Sequence, residues 1–152
     1  MEYSFDVCFA SGDVWLSQDE NACALVLFTD SKKSTLSSII WQIKLAFSVI
    51  GLSRVPMIMA REKKIKERQP KVPFAYLWFF GTKKDVQGTG VGGKLLDSLI
   101  EYYSLDNRSM YLETSSDKNV KWYTNHGFVV YDTVELSYSL FFLRNPARKQ
   151  LH

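Results

Sequence analysis

Val86-Gln87-Gly88-Thr89-Gly90-Val91-Gly92-Gly93-Lys94 decides the fold. Before it stands a dense aromatic run at residues 74–80, Phe-Ala-Tyr-Leu-Trp-Phe-Phe. After it Leu95, Leu96, Leu99, Ile100 and Tyr103 continue from Val91 at helical spacing. The order is therefore strand, glycine-rich turn, amphipathic helix. Glycines permit positive φ and close backbone approach, so successive N–H groups can converge on one anion. The helix N-terminus adds orphan N–H donors and the positive end of its dipole. Such a turn is a cradle for a pyrophosphate. Lys94 either adds charge to it or points to solvent.

The glycine spacing narrows the ligand only partly. It is not G-x-x-x-x-G-K-[ST], which argues against a nucleotide-hydrolysing loop. Gly88, Gly90 and Gly93 do meet the G-x-G-x-x-G spacing of dinucleotide sites, and Glu113 follows twenty positions after Gly93. That pattern lies mid-chain behind two expected helices, and glycine spacing alone leaves a structural turn and a phosphate site equally open.

Working outward, residues 5–10 and 14–17 read as short strands broken at Ser11-Gly12-Asp13, with a third run at Ala22–Phe28. Asp30, Ser31 and Ser34 offer helix-start chemistry before a long apolar segment, residues 34–50, that Gly51 can end. A second helix is expected at Val55–Arg68, where mixed charges at residues 61–68 suit a solvated face better than a phosphate patch. Downstream, Met110–Thr114 reads as a strand, residues 119–125 as a short helix ending near Gly127, and residues 128–131 and 136–143 as a final strand pair. Alternating strands and helices imply an α/β domain with some parallel pairing.

Composition sets the bounds. At 152 residues and 46% hydrophobic content the chain suits one domain, residues 1–152, with a real core. A net charge of +3 is too small and too dispersed to imply a nucleic-acid partner. Cys8 and Cys23 sit among apolar neighbours, as buried reduced thiols do, and no Cys/His cluster suggests a metal. The N-terminus lacks the pattern of a signal peptide, and residues 36–50, interrupted by Gln42 and Lys44, fall short of the ~20 apolar residues that span a bilayer. A cytoplasmic protein without membrane attachment is expected.

The stretch from Gln87 to Gly92 resembles the Q/R-x-x-G-x-G/A pattern of GNAT acetyltransferases. The block from Tyr111 to Phe128 is similar to that family's next block, a strand followed by a short helix ending in Tyr-x-x-x-Gly-Phe, here Tyr123 to Phe128. Both blocks have the family's order and separation. The resemblance is specific over residues 74–134, taken as the CoA-binding half. It implies a mixed, mostly antiparallel sheet with a central splayed parallel strand pair flanked by helices. The opening strand and helices of the usual domain are not found in the first seventy residues. A wall missing there would favour a homodimer.

The resemblance also implies roles. Acetyl-CoA would be the cosubstrate and an amine the acceptor. Backbone at Phe80, Gly81 and Thr82 would bind the pantetheine arm and polarise the thioester carbonyl. Gly88, Thr89, Gly90, Val91, Gly92 and Gly93 would take the pyrophosphate, with Gln87 shaping the turn. Tyr123 matches the tyrosine that protonates the departing thiolate. The strand at 74–80 carries no acid, and Glu113 aligns with the base of similar ribosomal-protein N-terminal acetyltransferases; strand alternation sets it beside Tyr111, opposite Leu112 and Thr114. Asn119 is expected to cap the short helix and to contact CoA, while Ser116 stands where relatives commonly carry asparagine. His126, at a helix end, is explained by the helix dipole without catalysis.

Overall fold

The computed structural model describes residues 12–29 and 55–146. Its elements run β1 (Gly12–Leu16), β2 (Ala22–Phe28), α1 (Val55–Arg68), β3 (Ala75–Thr82), α2 (Val91–Leu105), β4 (Met110–Thr114), α3 (Asp117–Asn125), β5 (Val129–Glu135) and β6 (Ser139–Asn145). The expected strand at residues 5–10, the apolar helix at 34–50 and Cys8 lie outside the described residues. Cys23 is half-buried on β2 rather than fully buried.

The six strands form one sheet in the order β1-β2-β3-β4-β6-β5. Every neighbouring pair is antiparallel except β3 and β4, which are parallel. The expected mixed α/β architecture with one central parallel pair is the observed one. Two boundaries differ. Gly12 and Asp13 belong to β1 instead of breaking it: a Cβ on Gly12 would lie 1.9 Å from the Val26 carbonyl oxygen, so this glycine serves a close approach of backbones within the sheet. The short helix begins at Asp117, because the Ser116 hydroxyl caps it by accepting from the Asn119 amide at 3.4 Å. Asn119 is therefore a first-turn residue and not the cap.

Helices cover both faces. On one, Leu95, Leu96, Leu99 and Tyr103 of α2 and Tyr123 of α3 pack against Ala24, Val26, Ala75, Leu77 and Leu112. Each leucine so buried contributes about 1.5–3 kcal/mol. Tyr103 is anchored as well as buried: its hydroxyl accepts from Trp15 Nε1 at 3.1 Å and donates to Asp13 Oδ2 at 2.7 Å. On the other face, Ile65 of α1 packs with Val134, Leu140 and Phe142.

The parallel pair is brief. Only Ala75–Met110 and Tyr76–Tyr111 are in register, and from Leu77 to Thr82 the second edge of β3 has no strand partner among the described residues. The cause is legible in the β2–β3 register, which steps from Val26–Leu77 to Leu25–Phe79 and leaves Trp78 as an extra residue. Such a bulge bends and twists its strand, here away from β4. It also changes the side-chain phase, so that Leu77 before the bulge and Phe80 after it both join the core beneath α2.

Candidate functional site

The glycine-rich turn leaves β3 where that strand has parted from β4. A short 3-10 turn at Lys84–Val86 leads to Gly88 and Gly90, whose φ values of +86° and +89° favour glycine. Gly90 is the N-cap of α2. The Thr89 amide and hydroxyl both donate to the Val86 carbonyl, at 3.3 and 2.8 Å, and the Gln87 amide donates to Lys84 at 3.4 Å. These bonds close the turn on itself. The Lys94 amide already bonds the Gly90 carbonyl at 3.0 Å. Among the described residues, the amides of Gly88, Gly90, Val91, Gly92 and Gly93 meet no acceptor. A Cβ at Gly88 or Gly90 would meet nothing within 4 Å, so the space before the turn is open.

Gly92 and Gly93 serve a different purpose. A Cβ on Gly92 would stand 2.9 Å from Thr82 Cγ2 and 3.8 Å from Trp122, so its absence lets α2 settle onto β3 and α3. A Cβ on Gly93 would stand 3.0 Å from the His126 ring. His126 is the C-cap residue of α3, its backbone amide bonding back to the last turn, and its ring Nδ1 lies 2.7 Å from Asp97 Oδ1 of α2. His126 thus joins the helix of the turn to the helix of Tyr123, a contact that the dipole argument did not foresee.

Tyr123 is buried, edge-on to Trp122 and Phe128 at 4.9 and 5.4 Å. Burial pushes its phenol up to about 12, and no hydrogen-bond partner meets its hydroxyl among the described residues. It remains a protonated donor across the neutral range.

Glu113 lies on the opposite face of the sheet from Tyr123, sharing a register position with Phe142. The Tyr76 hydroxyl donates to Glu113 Oε2 at 2.5 Å, and Gln69 Nε2 donates to Oε1 at 3.4 Å. Burial raises the Glu113 carboxyl above its ordinary value, while the bonds from Tyr76 and Gln69 pull it back down. Tyr76 in turn is pushed well above the usual phenol value by burial and the neighbouring carboxylate. Tyr111 and Tyr131 stack edge-on nearby at 5.6 Å. Sequence reasoning missed Tyr76. Its signal was a polar atom in an otherwise apolar strand, and only the β3–β4 register brings it to Glu113.

The remaining candidates fall at the same end of the sheet. Phe80 tilts against Trp122 at 5.5 Å, and Gly81 and Thr82 pair with Cys23 and Ala22 on one edge only. Asn119 Nδ2 reaches Thr114 Oγ1 at 3.5 Å. Among the described residues, no helix is long and apolar enough to cross a membrane.

Among the described residues, then, a mixed sheet splits at its parallel pair beside a helix whose first amides are open. A solved acetyltransferase of 20% identity superposes on it with a TM-score of 0.53, over 89% of this chain and 69% of its own. The family model described as the acetyltransferase (GNAT) family matches residues 37–128, and the chain belongs to that family. Among other solved structures, a Corynebacterium glutamicum protein described as histone acetyltransferase HPA2 and related acetyltransferase is 26% identical, with a TM-score of 0.48 over 56% of this chain. Arabidopsis thaliana Naa50, solved with a bisubstrate analogue, is 22% identical, with a TM-score of 0.44 over 48% of this chain. The chain spans 48% and 54% of the lengths of those two proteins.

Proposed function

We propose that this chain is an N-acetyltransferase, moving an acetyl group from acetyl-CoA to a primary amine of a small molecule, peptide or protein by direct attack on the thioester. The observation that carries the reading is the set of amides of Gly88, Gly90, Val91, Gly92 and Gly93, which meet no acceptor among the described residues at the mouth of α2. An anion with several oxygens, such as the CoA pyrophosphate, satisfies such donors together with the helix dipole. The open edge of β3 at Phe80, Gly81 and Thr82 suits the amide-bearing pantetheine arm as an added strand.

A thioester lying in the gap between β3 and β4 would have Glu113 on one face of the sheet and Tyr123 on the other. In the reaction, the amine nitrogen bonds to the acetyl carbon, and the carbonyl oxygen gains negative charge, met by backbone N–H groups of β3. The C–S bond then breaks and the thiolate takes the Tyr123 proton. The proton that the acceptor ammonium sheds before its nitrogen attacks goes to Glu113, whose affinity for protons, raised by burial, suits a general base. Nucleophile and leaving group thus have separate proton partners on separate faces. Residues 1–152 act as one domain in this reading.

The test has two parts. Calorimetry should show saturable binding of acetyl-CoA, and a thiol-release assay over a panel of amines should show turnover with at least one. Absence of any binding would remove the proposal; binding without turnover for any amine would favour a non-catalytic acyl-CoA-binding module, a reading to which the acid-free strand β3 lends weight.

A further inference from the structure

His126 stands where four elements meet. Its ring Nδ1 lies 2.7 Å from Asp97 Oδ1 of α2, its ring tilts against Trp122 of α3 with centroids 4.9 Å apart, and its carbonyl accepts from Asn145 Nδ2 of β6 at 3.3 Å. Trp122 in turn rests on Phe80 of β3 at 5.5 Å. We infer that His126 and Asp97 are positioning residues for acyl transfer: their contact fixes α3 against α2, so that the Tyr123 hydroxyl and the open amides of the glycine-rich turn are held as one unit. The inference rests on the general-acid reading of Tyr123 and adds what orients that phenol.

The first argument is that Tyr123 does not orient itself. Its hydroxyl meets no hydrogen-bond partner among the described residues. Its helix has nine residues, too few to stand in water without tertiary contacts, and of those nine only Tyr123 is buried. The direction of the phenol is therefore set by what anchors the two ends of α3. The Ser116 hydroxyl caps the first turn. His126, three residues after Tyr123, closes the last, its amide donating to the Tyr123 carbonyl at 3.0 Å. The His126 ring carries that end across to α2.

The second argument is the fit of the ring to α2. Gly93 and Asp97 lie four residues apart, on one face of that helix. Gly93 leaves room for the ring, since a Cβ there would stand 3.0 Å from it, and Asp97 supplies the acceptor. A carboxylate only accepts, so Nδ1 carries the hydrogen whether the ring is neutral or charged. The Gly93 amide is one of the open amides, so the contact adjoins the cradle. The His126 and Asp97 side chains are 20% and 62% exposed, and a pair so exposed adds little to stability. A displacement of about 1 Å at a reacting group, by contrast, costs about 10²-fold in rate. A contact of small thermodynamic value therefore carries a large kinetic one.

The experiment uses the full chain and an amine that it turns over. It measures kcat, acetyl-CoA affinity by calorimetry and melting temperature for Asp97→Ala and Asp97→Asn, each in the native chain and in Tyr123→Phe. Both substitutions remove the same charge, but only Asp97→Asn keeps an oxygen that accepts from the ring. Asp97→Ala should lower kcat about tenfold or more, with acetyl-CoA affinity within about twofold of native and the melting temperature nearly unchanged. Asp97→Asn should recover most of the lost kcat. In the Tyr123→Phe background Asp97→Ala should lower kcat no further, because the hydroxyl it positions is gone. Native kcat in Asp97→Ala, equal losses in Asp97→Ala and Asp97→Asn, or a second full loss on top of Tyr123→Phe overturns the positioning role and leaves Tyr123 as the acid. Undiminished kcat in Tyr123→Phe, or a native protein that turns over no amine, overturns instead the catalytic reading on which the inference rests.

Discussion

The Tyr76 hydroxyl donates to Glu113 Oε2 at 2.5 Å, across a strand pair whose register ends at Tyr76 and Tyr111. The pairing brings a buried carboxylate and a phenol together at the point where β3 and β4 part, and the bond offsets part of the rise that burial imposes on the Glu113 carboxyl. Because the bond from Tyr76 stabilises the carboxylate, Tyr76→Phe should move the Glu113 pKa further up. Loss of one hydrogen bond to a charged group corresponds to about one pH unit or more. The acidic limb of log kcat/KM against pH should shift to higher pH by that amount. An unshifted limb would separate Glu113 from the chemistry.

The same carboxyl makes a stability prediction with a definite sign. Burial raises its folded-state pKa, so the stability linked to Glu113 is fully present below the ordinary carboxylate pKa and is lost as pH rises through the raised value. Glu113→Gln stays neutral throughout and its amide oxygen still accepts from Tyr76. The variant should melt higher than the native protein at pH 7, and the difference should vanish in buffer below the ordinary carboxylate pKa of about 4.3. Thermal unfolding at the two pH values checks this; a variant less stable at pH 7 would contradict it.

Tyr123 offers a clean separation of folding from catalysis. Its hydroxyl has no partner among the described residues, so Tyr123→Phe removes no internal hydrogen bond and should leave the melting temperature nearly unchanged. Turnover should fall by about 10²-fold or more if the phenol is the general acid, with acetyl-CoA affinity retained. Steady-state kinetics beside calorimetry read both quantities, and undiminished kcat would reassign Tyr123 to the core.

The glycines of the turn should respond differently to the same substitution. Gly92→Ala brings a Cβ to 2.9 Å from Thr82 Cγ2 and should destabilise by about 1–3 kcal/mol through overpacking between α2 and β3. Thr82→Ser removes that methyl group and should restore most of the loss. Gly90→Ala meets no neighbour, yet its φ of +89° costs an alanine about 1–2 kcal/mol, and Thr82→Ser should not help. Denaturant unfolding of the single and double variants distinguishes steric from conformational cost.

The turn, the helix after it and the limits of β2, α1 and β4 were legible because each depends on local patterning: apolar period, capping chemistry and glycine punctuation. Gly12 was misread as a break for the same reason. A glycine that ends a strand and one that admits a neighbouring backbone look alike until the Val26 carbonyl is placed against it. Asn119 was read as the cap because its type suits the role, whereas the geometry gives that role to Ser116.

By itself, the order of residues determined that an open, glycine-rich bend meets a helix N-terminus, since φ preferences and orphan amides are properties of a short segment. Only the tertiary structure decided which glycines shape the backbone and which make room, that a bulge at Trp78 parts β3 from β4, and that Tyr76 reaches Glu113. Those facts depend on strand register and on contacts between residues distant in sequence, which no local pattern encodes.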